Sequence, residues 1–181
     1  NSGLQNQRVL YTADARDAEP RILLDPNVLS PDGTIALAGY SVSADGTLLA
    51  YGLSRAGSDW EDWHVRDVVS GTARPDLLEW VKFSSAAWKK DGSGFFYSRY
   101  AAPRAGEEKK GVNEFQKLYF HKLGTKQAED VLIYERRDHP DWGFSATVTD
   151  DGRYLVIHVS KGTDPKNLIF YKDLASPGSK V

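Results

Sequence analysis

Thr149-Asp150-Asp151-Gly152-Arg153-Tyr154-Leu155-Val156-Ile157 places an Asp-Gly pair just ahead of a short apolar run. The arrangement occurs twice more, in Ser43-Ala44-Asp45-Gly46-Thr47-Leu48-Leu49-Ala50-Tyr51 and in Lys90-Asp91-Gly92-Ser93-Gly94-Phe95-Phe96-Tyr97. An Asp-Gly step before aromatic or β-branched residues is a strong hairpin signal, because glycine accepts the positive φ that a tight turn needs. The copies recur at roughly 45 to 60 residues, the spacing of a β-propeller, in which a four-stranded sheet (a blade) repeats around a central channel. An all-β fold is therefore predicted. Since a blade takes about 40 to 50 residues, the 181 residues are expected to hold about three blades of an incomplete ring. Their approximate limits are 1–72, 73–135 and 136–181. The unfinished repeat and the absence of methionine lead to the expectation that the chain is a piece of a longer protein.

Composition narrows the class of function. Lys and Arg number 23 against 25 Asp and Glu, so the formal net charge is −2 and there is no basic surplus of the kind that binds nucleic acid. No apolar run approaches the roughly 20 residues of a membrane span, and no signal-peptide pattern opens the chain. With no cysteine there is no disulfide scaffold, thiol nucleophile or Cys-ligated zinc. No nucleic acid, membrane, cofactor or metal is expected. The expected compartment is cytoplasmic or periplasmic, the former slightly favoured.

Strand signals dominate. Residues 8–12, 21–24, 48–51, 63–69, 95–100, 117–123 and 168–174 read as strands, and Trp63 and Val65 alternate with His64 and Arg66 at a period of two. Residues 77–82 read either as one helical turn or as extended chain. The rhythm is broken at residues 101–116, which are rich in Pro, Gly and charge. A loop this long inside a compact sheet repeat is commonly functional or else a solvated hairpin extension.

The chemistry of an active site is not visible. There is no Gly-x-Ser-x-Gly elbow, no phosphate loop and no calcium loop. His64, His121, His139 and His158 are scattered, and where they fall in predicted strands packing is the expected role. Most of the aromatic residues fit packing between blades. Phe83 differs, standing before Ser84-Ser85-Ala86-Ala87, where little bulk would cover its ring.

The ordered series Val9-Leu10-Tyr11, Gly57-Ser58-Asp59-Trp60, Trp80-Val81-Lys82-Phe83-Ser84, Gln116-Lys117-Leu118-Tyr119, His121-Lys122-Leu123-Gly124-Thr125 and Gly162-Thr163-Asp164-Pro165 resembles the propeller of prolyl oligopeptidases, or prolyl endopeptidases. The resemblance spans nearly the whole chain. It implies a seven-bladed propeller over a separate α/β-hydrolase domain with a Ser-Asp-His triad, an enzyme that cleaves short peptides after proline. The propeller would act as a size filter. The resemblance further implies that Phe83 lines the pocket for substrate residues upstream of proline, and that Asp59 faces the peptidase domain near a substrate-holding arginine. It also makes residues 101–116, with Arg104, Glu107, Lys110 and Asn113, a loop gating substrate entry. Ser85 stands where some members carry a cysteine. The implied partners are proline-containing oligopeptides, the peptidase domain and the remaining blades. The triad would lie outside these residues, so the chain by itself is expected to be inactive. The alternative is a non-enzymatic TolB-like propeller that serves as a protein-interaction scaffold.

Overall fold

All three Asp-Gly turns close in the same way in the computed structural model, which describes residues 3, 5–30, 32–106, 112–176 and 178–181. The Ser43 N–H donates to the Leu48 carbonyl, that of Lys89 to Gly94 and that of Thr149 to Tyr154, each at 2.9 Å. The aspartate Oδ1 accepts the N–H two residues on, from Thr47 at 3.1 Å, Ser93 at 3.0 Å and Arg153 at 3.0 Å. Gly46, Gly92 and Gly152 supply φ values of 76°, 67° and 76°, a region that costs side-chain-bearing residues energy. Donors from Lys89 and Ser93 hold the Asp91 carboxyl down at about 2.

Strands follow in the order β1 (Leu10–Thr12), β2 (Arg21–Leu24), β3 (Ile35–Val42), β4 (Leu48–Arg55), β5 (Glu61–Asp67), β6 (Ala73–Val81), β7 (Ala87–Trp88) and β8 (Gly94–Arg99). They continue with β9 (Lys117–Lys122), β10 (Val131–Tyr134), β11 (Trp142–Val148), β12 (Tyr154–Lys161) and β13 (Leu168–Asp173). After the β1–β2 hairpin come three antiparallel meanders, β3 to β6, β7 to β10 and β11 to β13. Each Asp-Gly turn joins the first and second strands of one meander. A single ladder pair, Val81 opposite Arg99, joins the first two meanders in one sheet.

Strand pairing bears on two of the sequence-based readings. The division expected between residues 72 and 73 falls inside the first meander, because β6 pairs with β5. Residues 77–81 are extended, with Leu78 and Val81 buried and Leu77 exposed, so of the two readings of residues 77–82 the extended one holds.

Packing follows from strand alternation, since successive side chains point to opposite faces of a sheet. Leu48, Ala50, Trp63 and Val65 of the first meander meet Trp88, Phe95 and Tyr97 of the second. From the other face of the second meander, Phe96 and Leu118 meet Phe144, Leu155 and Ile157 of the third. Leu49, Tyr51 and Leu53, on the opposite face of β4, pack on Leu23 and Leu24 of the first hairpin. Central strands are thus apolar on both faces, which explains the unbroken burial of β4 from Leu48 to Leu53. The first strands β3, β7 and β11 converge on a cleft of about 380 Å³, where the Trp88 indole donates to the Ser41 carbonyl at 3.1 Å. Among the described residues, no helix is long and apolar enough to cross a membrane.

Candidate functional site

At the end of β6 and in the turn that leads to β7 the backbone enters the left-handed region twice without glycine, at Trp80 (φ 62°) and Phe83 (φ 56°). Such residues cost on the order of 1–3 kcal/mol each and persist only where their surroundings over-determine them. Three hydrogen bonds do so here. The Tyr100 N–H donates to the Trp80 carbonyl at 3.1 Å, Gln116 Nε2 to the Lys82 carbonyl at 2.9 Å, and the Ser98 N–H to Ser84 Oγ at 2.8 Å. Gln116 is itself buried, and its Oε1 accepts the Phe144 N–H at 2.6 Å, tying this turn to the third meander.

The strained turn presents Phe83 with 61% of its surface exposed, an unusual state for a phenylalanine held by so rigid a backbone. Its ring lines two adjoining clefts. One, of about 450 Å³, is walled chiefly by polar residues, among them Ser54, Ser58, Asp59, Glu61, Ser84 and Ser145. The other, of about 860 Å³, is more apolar, with Tyr100, Val112, Asn113 and Phe144 beside Phe83. An ion pair between Lys161 and Asp141 at 3.0 Å sits on its rim. An apolar wall with a few polar groups converging on it is the usual make-up of a ligand site.

Asp59 and Phe83 share the smaller cleft, linked through Lys82. Lys82 Nζ lies 3.4 Å from Asp59 Oδ2 and 5.1 Å from the ring centroids of both Trp60 and Phe83. Trp60 is wedged edge-on against Trp80 at 5.7 Å and Tyr100 at 5.9 Å, which fixes the floor of the cluster. Glu61 lies deeper and accepts the Trp63 indole N–H at 2.7 Å. Burial pushes its carboxyl upward, the indole bond opposes that, and the charge of Asp59 adds to it.

Of the gating-loop candidates, Asn113 lines the larger cleft, whereas Arg104 is exposed and lines neither. Glu107 and Lys110 lie outside the described residues. The loop's end is anchored by the Phe115 N–H, which donates to the Pro140 carbonyl at 2.7 Å, and by Gln116. Neither Lys82 nor Gln116 was singled out from sequence, since nothing local marks a lysine or glutamine as buried.

A second polar cluster also went unread. His121, fully buried in β9, sits between Asp130 Oδ1 at 2.7 Å from Nδ1 and Asp76 Oδ1 at 3.0 Å from Nε2. Tyr97 donates to Asp130 Oδ2 at 2.6 Å and the Gly124 N–H to Asp76 Oδ1 at 2.5 Å. Asp76 belongs to the first meander and the others to the second, so the cluster staples two sheets together. It lines neither cleft beside Phe83.

Comparison with known proteins accounts for this architecture. The family model described as the prolyl oligopeptidase N-terminal beta-propeller domain matches residues 1–181. A prolyl endopeptidase of Elizabethkingia meningoseptica is 43% identical over 96% of this chain and 24% of its own length. Prolyl oligopeptidase A of Amanita bisporigera is 37% identical over 96% of this chain and 26% of its own. Among solved structures, one from a study of two prolyl endopeptidases superposes with a TM-score of 0.86 at 37% identity, covering 100% of this chain and 25% of that one. Prolyl oligopeptidase B from Galerina marginata, bound to a 25-residue macrocyclization substrate, gives 0.86 at 32% identity over 99% of this chain and 28% of that one. The chain thus spans about a quarter of the length of these relatives. Fold, strand pattern and family match agree: the chain belongs to the prolyl oligopeptidase N-terminal β-propeller family.

Proposed function

We propose that this chain is the part of a proline-specific oligopeptidase that admits short peptides and lines part of their binding pocket. In this reading the three meanders are blades of a seven-bladed ring, running over 35–81, 87–134 and from 142 onward. The peptidase domain and its Ser-Asp-His triad lie elsewhere in the protein, and bond cleavage is no task of these residues. Phe83 supplies an apolar platform for substrate side chains upstream of the proline. Asp59 faces the peptidase domain and orients an arginine there, a pairing suited to the planar guanidinium. The loop over residues 101–116 narrows the entrance, and Asn113 is its contribution to the cleft wall. A ring of sheets with one narrow opening admits extended oligopeptides and turns folded proteins away.

One observation carries the reading: an exposed phenylalanine, held on strained backbone by three hydrogen bonds, forms the wall between two clefts. Exposed strain of this kind is a common mark of ligand-contacting segments. The relatives named as peptidases supply the chemistry that such a pocket would serve. The test is Phe83→Ala in the full-length protein. We expect KM for short proline peptides to rise about 3- to 20-fold with little change in kcat, the pattern of lost ground-state binding. An unchanged KM in a folded variant would remove Phe83 from the pocket.

A further inference from the structure

A surface lysine ordinarily keeps its ammonium in water while its stem lies along the protein. Lys82 does the reverse. Its side chain is 12% exposed, whereas Asp59, its ionic partner, is 66% exposed and Phe83 is 61% exposed. The cation has been drawn in beneath two groups that remain at the surface. Three contacts account for this: the carboxylate at 3.4 Å and the Trp60 and Phe83 rings at 5.1 Å each. The Lys82 backbone is fixed as well, because its carbonyl accepts from buried Gln116.

The consequence concerns the neighbours more than the lysine. With so much of its ring exposed, Phe83 has few packing contacts to hold its plane, and rotation about the side-chain bonds would swing the ring into either cleft. An ammonium over the ring face favours one orientation, since the face carries the negative end of the ring quadrupole. Asp59 likewise has no second ion pair among the described residues. The same ammonium therefore sets both the plane of the ring and the direction of the carboxylate.

We propose that Lys82 is a positioning residue that sets both neighbours at once, the Phe83 ring toward the peptide and the Asp59 carboxylate toward the arginine of the peptidase domain. The proposal rests on the reading of Phe83 as a ligand-facing residue and of Asp59 as facing the peptidase domain. Lys82 itself touches no substrate; it acts by holding the ring that does. Its natural ligand is a peptide with an apolar side chain upstream of proline, whose side chain meets the ring.

The test uses the full-length protein and two chromogenic proline peptides. The longer carries an aromatic residue upstream of the proline, so that it reaches Phe83, and the shorter ends before that point. The quantity read is the ratio of kcat/KM for the longer peptide to that for the shorter. Lys82→Met keeps the unbranched stem and removes the charge. It is expected to lower the ratio about 2- to 10-fold, chiefly through KM of the longer peptide. Lys82→Arg, which can still stack on rings and pair with a carboxylate, is expected to restore most of the ratio. A structural role alone would lower both substrates together and leave the ratio where it was. An unchanged ratio in Lys82→Met, or the same loss in Lys82→Arg, overturns the proposal. Lys82→Gln replaces Lys82→Met, with the same expectation, if the latter does not fold. Phe83→Ala, run alongside, separates the two claims. If it collapses the ratio while Lys82→Met does not, only the positioning role fails; if it leaves the ratio intact, the pocket reading fails and the positioning role with it.

Discussion

Removing the charge on His121 should loosen the joint between the first two meanders, and the pH dependence of that loss has a definite sign. Burial by itself would push the imidazole down, but the carboxylates of Asp130 and Asp76 outweigh it and lift the group from 6.5 to about 9. A raised folded value means that the folded state holds the proton more tightly than the unfolded chain does. The stabilisation is therefore complete below pH 6.5 and is lost as pH rises through about 9. The ring is fully buried, so solvent screens the pairs little. At 1.36 kcal/mol per unit, the shift is worth on the order of 3 kcal/mol across that window. His64 opposes this slope, because burial holds its imidazole below the usual value. Comparison with a variant isolates the His121 contribution. Urea melts from pH 6 to pH 9.5 should show stability falling with pH in the wild type. In His121→Gln the fall should vanish, and stability at pH 6 should drop by about 3–5 kcal/mol, the usual result of leaving buried charge uncompensated. A His121→Gln protein that keeps the wild-type slope, or a wild type with none, would refute the reasoning.

Two further outcomes follow from the packing and from the division of labour. Trp63 is 2% exposed in the core between the first two meanders, so Trp63→Ala should cost about 3–5 kcal/mol in denaturant melts; a loss below about 1 kcal/mol would mean that the joint does not depend on it. The 181-residue chain, purified free of any full-length enzyme, should show no turnover of a proline-containing chromogenic peptide. Activity that persists through that purification would place catalysis within these residues.

What could be read from sequence was local. An Asp-Gly turn is specified within about six residues, and all three close with the same backbone and side-chain bonds. The strands that precede all three turns are not legible, for an equally local reason: β7 is only Ala87-Trp88, and the other two are rich in small residues. β3 is Ile-Ala-Leu-Ala-Gly-Tyr-Ser-Val and β11 is Trp-Gly-Phe-Ser-Ala-Thr-Val. Their small residues carry weak strand propensity but allow the first strands to converge. β10, Val-Leu-Ile-Tyr, has strand-forming residues but is a four-residue run without polar alternation, so periodicity does not mark it. Phe83 could be singled out by the small residues after it, but the left-handed backbone that lifts it out has no sequence signature. Non-local partners stayed hidden: Asp76 is 45 positions from His121, and Lys82 is 34 from Gln116. Nothing in either neighbourhood announces the other.

The central claim is that a peptide's residues upstream of proline lie against the Phe83 turn. It is tested most directly by crosslinking. A short proline peptide with a photoreactive phenylalanine analogue upstream of the proline would be bound to the full-length protein, irradiated, and the adduct mapped by digestion and mass spectrometry. The account predicts adducts within residues 80–85 and on the facing cleft wall at 143–145, both suppressed by excess unlabelled peptide. Competed adducts that fall only outside these segments would contradict it.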